Sequence, residues 1–135
     1  MYIFDTDTLS NVLKKYPSPN LLKRLEIIPR ELQFTTAINV SEIYFGAYRS
    51  DRREKILQVY ENKVFPNLNV LPFDFESGKI YGRLKAHLEK KGLSKSEPDL
   101  RIAAISIQHK MTLITGNIKH FRNIPDLMME NWMEG

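Results

Sequence analysis

Short apolar runs alternate with helix-patterned segments along the whole chain, and this alternation constrains the fold more than any other feature. Residues 2–4, 32–35, 69–73, 111–115 and 127–129 read as strands. Helical spacing of apolar residues covers 8–15, 21–28, 37–48 and 53–64. Asp74 is placed to cap a helix running through Lys91, with Gly92 at its far end, and Pro98 opens another running to Gln108. A short helix around Lys119 precedes the last strand. Strands separated by helices predict an α/β fold: three α/β/α layers around a central, mainly parallel sheet. Right-handed crossovers place helices on both faces. Sites in such folds lie beyond the carboxyl ends of the strands, here just after Phe4, Thr35, Phe73 and Thr115.

A chain of 135 residues is expected to form one domain, residues 1–135. It has no cysteine, so disulfides and thiolate metal sites are excluded, in keeping with a reducing cytoplasm. It has no run of apolar residues long enough to cross a membrane, and no signal peptide is expected from its first residues. A net charge of +4 permits an anionic partner without identifying one.

Charge where charge should be absent supplies the functional signal. Glu42 is the only charged residue between Phe34 and Tyr48, on a helical stripe with Ile38 and Phe45. Asp99 sits in the first turn of a helix that, beyond Arg101, is apolar nearly all round from Ile102 to His109, which points to a central position. Asp5 directly follows the first strand, and Asn117 follows the fourth. Together Asp5, Glu42, Asp99 and Asn117 are expected at one rim, offering only oxygen ligands. That donor set suits Mg²⁺ or Mn²⁺ rather than Zn²⁺ and the hydrolysis of phosphate esters. Taken singly, each residue has a plainer reading: Asp5 and Asp99 as first-turn or capping acids, Glu42 in an ion pair with Arg49 or Arg101, Asn117 as a turn residue. The conjunction at one edge favours the shared site.

At these residues the sequence resembles a PIN domain of the VapC ribonuclease-toxin type, over essentially its whole length. Tyr2-Ile3-Phe4-Asp5-Thr6-Asp7 is similar to the opening of that family. Ser41-Glu42-Ile43-Tyr44-Phe45-Gly46 and Pro98-Asp99-Leu100-Arg101-Ile102-Ala103-Ala104 resemble its second and third acidic motifs. Leu113-Ile114-Thr115-Gly116-Asn117 with Phe121 resembles the fourth, and Leu127 to Trp132 a common close. The resemblance implies a Mg²⁺- or Mn²⁺-dependent endoribonuclease acting on a transfer or ribosomal RNA, a homodimer, and silencing by a VapB-type antitoxin. It implies that Asp5 and Asp99 hold the cation and that Glu42 is a further ligand or orients water. Asn117 would orient a ligand or water. Asn117 and His120 stand where relatives often carry acids, which favours one metal ion over two. Asp7 stands where Asn is commoner, and a capping role is expected for it.

Other features have weaker claims. Lys79, Arg83, His87 and Lys90 follow one helix face, and Arg49, Arg52, Arg53 and Lys55 cluster; both sets read as phosphate contacts or as solvated faces. Tyr44, Tyr48, Tyr60 and Tyr81 are candidates for a dimer face. Asn39-Val40-Ser41 matches a glycosylation acceptor but falls in a buried helix, where it carries no meaning. Two other functions compete: a non-catalytic RNA-binding PIN module, and a phosphoacceptor signalling domain using Asp74.

Overall fold

The computed structural model describes residues 1–134. Five strands, β1 (Tyr2–Phe4), β2 (Gln33–Thr36), β3 (Asn69–Leu71), β4 (Thr112–Ile114) and β5 (Met129–Glu130), form one sheet in the order β3-β2-β1-β4-β5. Every neighbouring pair is parallel. The α/β expectation holds, and "mainly parallel" becomes wholly parallel. The helices are α1 (Thr6–Val12), α2 (Pro19–Ile27), α3 (Ala37–Tyr48), α4 (Arg53–Val59), α5 (Phe75–Lys90), α6 (Glu97–His109) and α7 (Ile118–Phe121).

Strand alternation sends successive side chains to opposite faces, and the register turns this into two cores. Ile3 lies opposite Leu113, and Phe4 opposite Ile114. Ile3 and Leu113 join Leu84 and Leu88 of α5 and Ile102–Ile105 of α6. Phe4 and Ile114 join Leu9 of α1, Leu21 of α2, Ile43 of α3, Tyr60 and Trp132. Each such large side chain contributes on the order of 1.5–3 kcal/mol when fully buried. Trp132 meets the rings of Tyr2 and Phe4 edge-on, at centroid distances of 4.9 and 5.7 Å, and so braces the strand that leads to Asp5.

Several boundaries differ from expectation for local reasons. The segment expected as one helix over 53–64 leaves α-geometry at Tyr60 and widens into a π-turn, Tyr60–Val64, followed by a 3₁₀ turn, Phe65–Asn67. Pro66 has no N–H to continue the helix, and Tyr60 is buried there, which removes it from the dimer-face candidates. β3 stops at Leu71 because Pro72 cannot donate to the ladder. The last strand is shifted to Met129–Glu130, after a turn in which Asn123 and Asp126 take left-handed φ of 71° and 67°.

The end of α5 is tightly closed. Gly92 takes a φ of 68° just past the helix. Its N–H donates to Glu89 O at 3.0 Å and the Leu93 N–H to Leu88 O at 2.9 Å, a Schellman closure. The loop to α6 is therefore pinned at its start, and the Ser96 hydroxyl caps α6 at its end.

Candidate active site

The chain runs outward from β1 through β2 to β3, then returns to the other side of β1 for β4 and β5. The switch point therefore lies between β1 and β4, where a crevice opens beyond the carboxyl ends of the strands. Asp5 and Thr115 are the first residues after those two strands.

Asp5 is only 6% exposed, and its carboxylate is held by three donors from three segments. Oδ1 accepts from the Thr6 N–H at 2.9 Å and from Asn39 Nδ2 at 2.9 Å, and Oδ2 accepts from the Thr115 hydroxyl at 2.7 Å. Such charge-assisted bonds are what make a buried carboxylate tolerable. The first of them also caps α1, so the capping and site readings of Asp5 are both true.

Asn39 is itself fixed. Thr36, the last residue of β2, caps α3 by accepting from the Asn39 N–H at 3.1 Å, and its hydroxyl donates to Asn39 Oδ1 at 2.7 Å. That leaves Nδ2 to donate to Asp5 and, at 3.0 Å, to the Thr6 hydroxyl oxygen. The Thr6 hydroxyl in turn donates to Glu42 Oε1 at 3.0 Å. Asp5 and Glu42 are thus linked through two neutral side chains.

Glu42 does not sit on a buried apolar stripe. The buried residues of α3 are Asn39, Ile43 and Ala47, whereas Phe45 is 64% exposed. Nor is Glu42 in an ion pair among the described residues: Arg101 meets Glu97 at 3.8 Å, and the Arg49 guanidinium lies 4.9 Å from the Phe45 ring centre. Burial raises the Glu42 carboxyl above its ordinary range. The Thr6 hydrogen bond opposes this, while the charges of Asp5, Asp99 and Asp7 add to it. Burial likewise raises Asp5, against the Thr115 bond and with the charge of Asp7.

Asp99 projects from the first turn of α6 with its side chain 20% exposed, as the sequence implied. His120 Nδ1 stands 3.9 Å from Asp99 Oδ2. Glu42, Asp99 and His120 line one open cleft together with Ser94, Lys95, Ser96 and Lys119. Asn117 is exposed and precedes α7 without capping it through its side chain. Its backbone N–H donates to the Thr115 hydroxyl at 3.0 Å, which places it on the same loop as Thr115. Asp7 does not cap α1 as expected. Its Oδ2 accepts from the Gly116 N–H at 2.8 Å, tying α1 to the loop after β4.

Asp5 and Glu42 are therefore joined, Glu42 and Asp99 share a cleft, and Asn117 stands at the adjoining loop. The donor set is all oxygen, and two of its carboxyls, Asp5 and Glu42, are held above their usual range by burial and by neighbouring aspartates. A hard cation relieves that strain. Among the described residues, however, no three His, Asp or Glu side chains are already arranged to hold a metal ion. Closing the set falls to Glu42 and Asp99, which face a common open space.

Sequence reasoning missed Thr6, Asn39 and Thr115, the residues that hold the acids. Thr36 and Asn39 stand at the three-residue spacing of a helix cap, which was the available signal.

Residues 2–127 match the family model of the PIN domain. The ribonuclease VapC2 of Rickettsia felis is 31% identical over 98% of each chain. The tRNA(fMet)-specific endonuclease VapC of Salmonella typhimurium is 26% identical over 97% of each chain. The solved structure of VapBC2 from Rickettsia felis bound to a DNA fragment from its promoter superposes with a TM-score of 0.86. It is 30% identical, covering 97% of this chain and 98% of that one. Among the described residues, no helix is long and apolar enough to cross a membrane.

Proposed function

This chain belongs to the PIN-domain family and, within it, to the VapC ribonucleases, and from that premise we propose that it cuts RNA at a carboxylate-bound Mg²⁺ or Mn²⁺. The supporting observation is the Asp5–Thr6–Glu42 linkage beneath a cleft that Glu42 shares with Asp99.

Asp5 and Asp99 are the residues that would hold the cation directly, with Glu42 as a third. Such a cation activates water and neutralises charge on phosphoryl oxygens. Asp5 contributes a fixed oxygen: its donors set the carboxylate plane, and among the described residues Oδ2 accepts only the Thr115 hydroxyl, so a lone pair remains free. Glu42 keeps Oε1 on the Thr6 hydroxyl and presents Oε2, which has no hydrogen-bond partner among the described residues. Oε2 is thus free either to complete the ligand set or to orient an attacking water. Asn117, neutral and exposed at the adjoining loop, orients that water or a ligand without adding charge.

The protein would act as the toxin of a toxin–antitoxin pair in the cytoplasm, with a transfer or ribosomal RNA loop as its target. A VapB-type antitoxin would silence it, a cationic segment entering the acidic cleft in place of the cation. Self-association as a homodimer is part of the same reading, and the exposed Tyr48 on α3 is a candidate for that face.

The test is cleavage of pooled cellular RNA, read by mapping the new ends, for wild type and Asp5→Asn with Mg²⁺, with Mn²⁺ and with EDTA. Discrete metal-dependent cuts, absent from the variant, are expected. RNA binding without cuts by folded, antitoxin-free protein would replace this reading with the non-catalytic one. Asn117, neutral where relatives often carry an acid, is what that second reading rests on.

A further inference from the structure

We infer that Lys95 and Lys119 bind the RNA backbone at the cleft, each pairing with a phosphate of its own beside the one that is cut. The inference rests on the proposed RNA substrate and names the residues that admit it. Asp5, Asp7, Glu42 and Asp99 gather negative charge around the crevice, and the three aspartates all act on the Glu42 carboxyl. A polyanion entering such a place needs cations of the protein next to its phosphates, because a single bound ion does not offset the neighbouring ones.

The cleft that exposes Glu42 and Asp99 is lined by two lysines from separate segments: Lys95 from the loop between α5 and α6, and Lys119 from α7. Lys95 Nζ reaches the Lys119 carbonyl oxygen at 3.5 Å, which brings the two segments together. Neither lysine is in a salt bridge among the described residues, whereas Arg24, Lys85 and Arg101 are committed to Glu130 or Glu97. Lys95 thus spends one of its three donors at most, and Lys119 has all of its own to offer. The Lys95 loop is short and anchored at both ends, by the Schellman closure at Gly92 and the Ser96 cap, so binding need not order this stretch of backbone. The basic faces picked out in the sequence do not line this cleft. Arg49 and Arg53 are instead laid over the rings of Phe45 and Tyr48.

The experiment measures binding of a mixed-sequence, fluorescein-labelled single-stranded RNA in EDTA across a range of KCl concentrations, followed by steady-state cleavage with Mg²⁺. Each phosphate contact on a single strand contributes about 0.7 to the slope of log affinity against log salt. The K95Q/K119Q double variant should therefore show a slope shallower by about 1.4, and either single variant a slope shallower by about 0.7. KM for RNA should rise more than kcat falls, and K95R/K119R should restore both. An unchanged slope and KM in a protein that still cuts RNA overturns the inference alone. So does a shifted Mg²⁺ activation midpoint with an unchanged slope, which would make the lysines tuners of the acids. Wild type that neither binds nor cuts RNA removes the proposed function, and this inference with it.

Discussion

Asn39 Nδ2 donates to Asp5 Oδ1 at 2.9 Å across 34 residues of sequence, and both side chains are buried. The same amide group serves the Thr6 hydroxyl, so one neutral side chain sets the geometry of both site acids on the β1 side. Asn39→Ala should leave a buried carboxylate one donor short and cost about 2–3 kcal/mol, since bonds to charged groups are worth about 1.5–3 kcal/mol. Urea unfolding checks this, with a lower midpoint and an unchanged slope expected.

The raised carboxyls of Asp5 and Glu42 make stability depend on pH without divalent cations. Folding favours their protonated forms. Their stabilising contribution is fully present below the ordinary carboxylate range and is lost as pH rises through the raised values. Thermal melts in EDTA should show this decline as pH rises from the ordinary carboxylate range through the raised values, and Glu42→Gln should flatten it. A wild-type protein that gains stability over the same interval would contradict the shifts.

Millimolar Mg²⁺ or Mn²⁺ should reverse that decline, because a ligand of the folded state stabilises by mass action. At a hundredfold excess over the dissociation constant the gain is about 2.7 kcal/mol. The melting temperature should rise by several degrees in wild type and by less in Asp99→Asn. A wild-type protein that melts alike with and without the ions would show that these acids do not bind them.

Gly116 stands so close to Asp7 that an added Cβ would lie 2.8 Å from Asp7 Oδ2 and 2.6 Å from Met133 Cε. Both neighbours are the ends of side chains, so Gly116→Ala should fold. It should cost about 1 kcal/mol by displacing the Asp7 carboxylate from the Gly116 N–H, within the usual worth of a hydrogen bond. Cleavage should fall more than stability does, because the Asn117 loop moves with Gly116. Equal cleavage rates for variant and wild type would release this loop from the site.

Asp74 accepts from the Ser77 N–H at 3.1 Å and from Gln108 Nε2 at 3.0 Å, capping α5 in a reciprocal box with Ser77. Asp74→Ala should lower the melting temperature through loss of the cap, and leave RNA cleavage intact. Loss of cleavage in a folded Asp74→Ala protein would reopen a functional role for this acid.

The strand at 2–4, the helix at 37–48 and the capped helix after Asp74 were readable because each is a local decision. Apolar spacing, a capping side chain and a nearby proline act within a few residues of one another. The π-turn after Val59 was not, since the helical pattern of 53–64 runs on and the departure depends on burying Tyr60 ahead of Pro66. Glu42 was found through a premise that held only in part: charge on a buried stripe pointed to it, yet that stripe runs from half-buried Ile38 through half-buried Glu42 to exposed Phe45.

By itself the sequence determined the strand–helix alternation, hence the doubly covered sheet, and it placed Asp5 and Asn117 after strand ends and Asp99 in a first helical turn. The tertiary structure alone decided that Thr6, Asn39 and Thr115 would hold those acids, and that Lys95 and Lys119 would meet in the cleft beside them. Periodicity is written along the chain, within the reach of one turn or one pleat. A hydrogen bond between Asp5 and Thr115 spans 110 residues and exists only because β1 and β4 pair in one register.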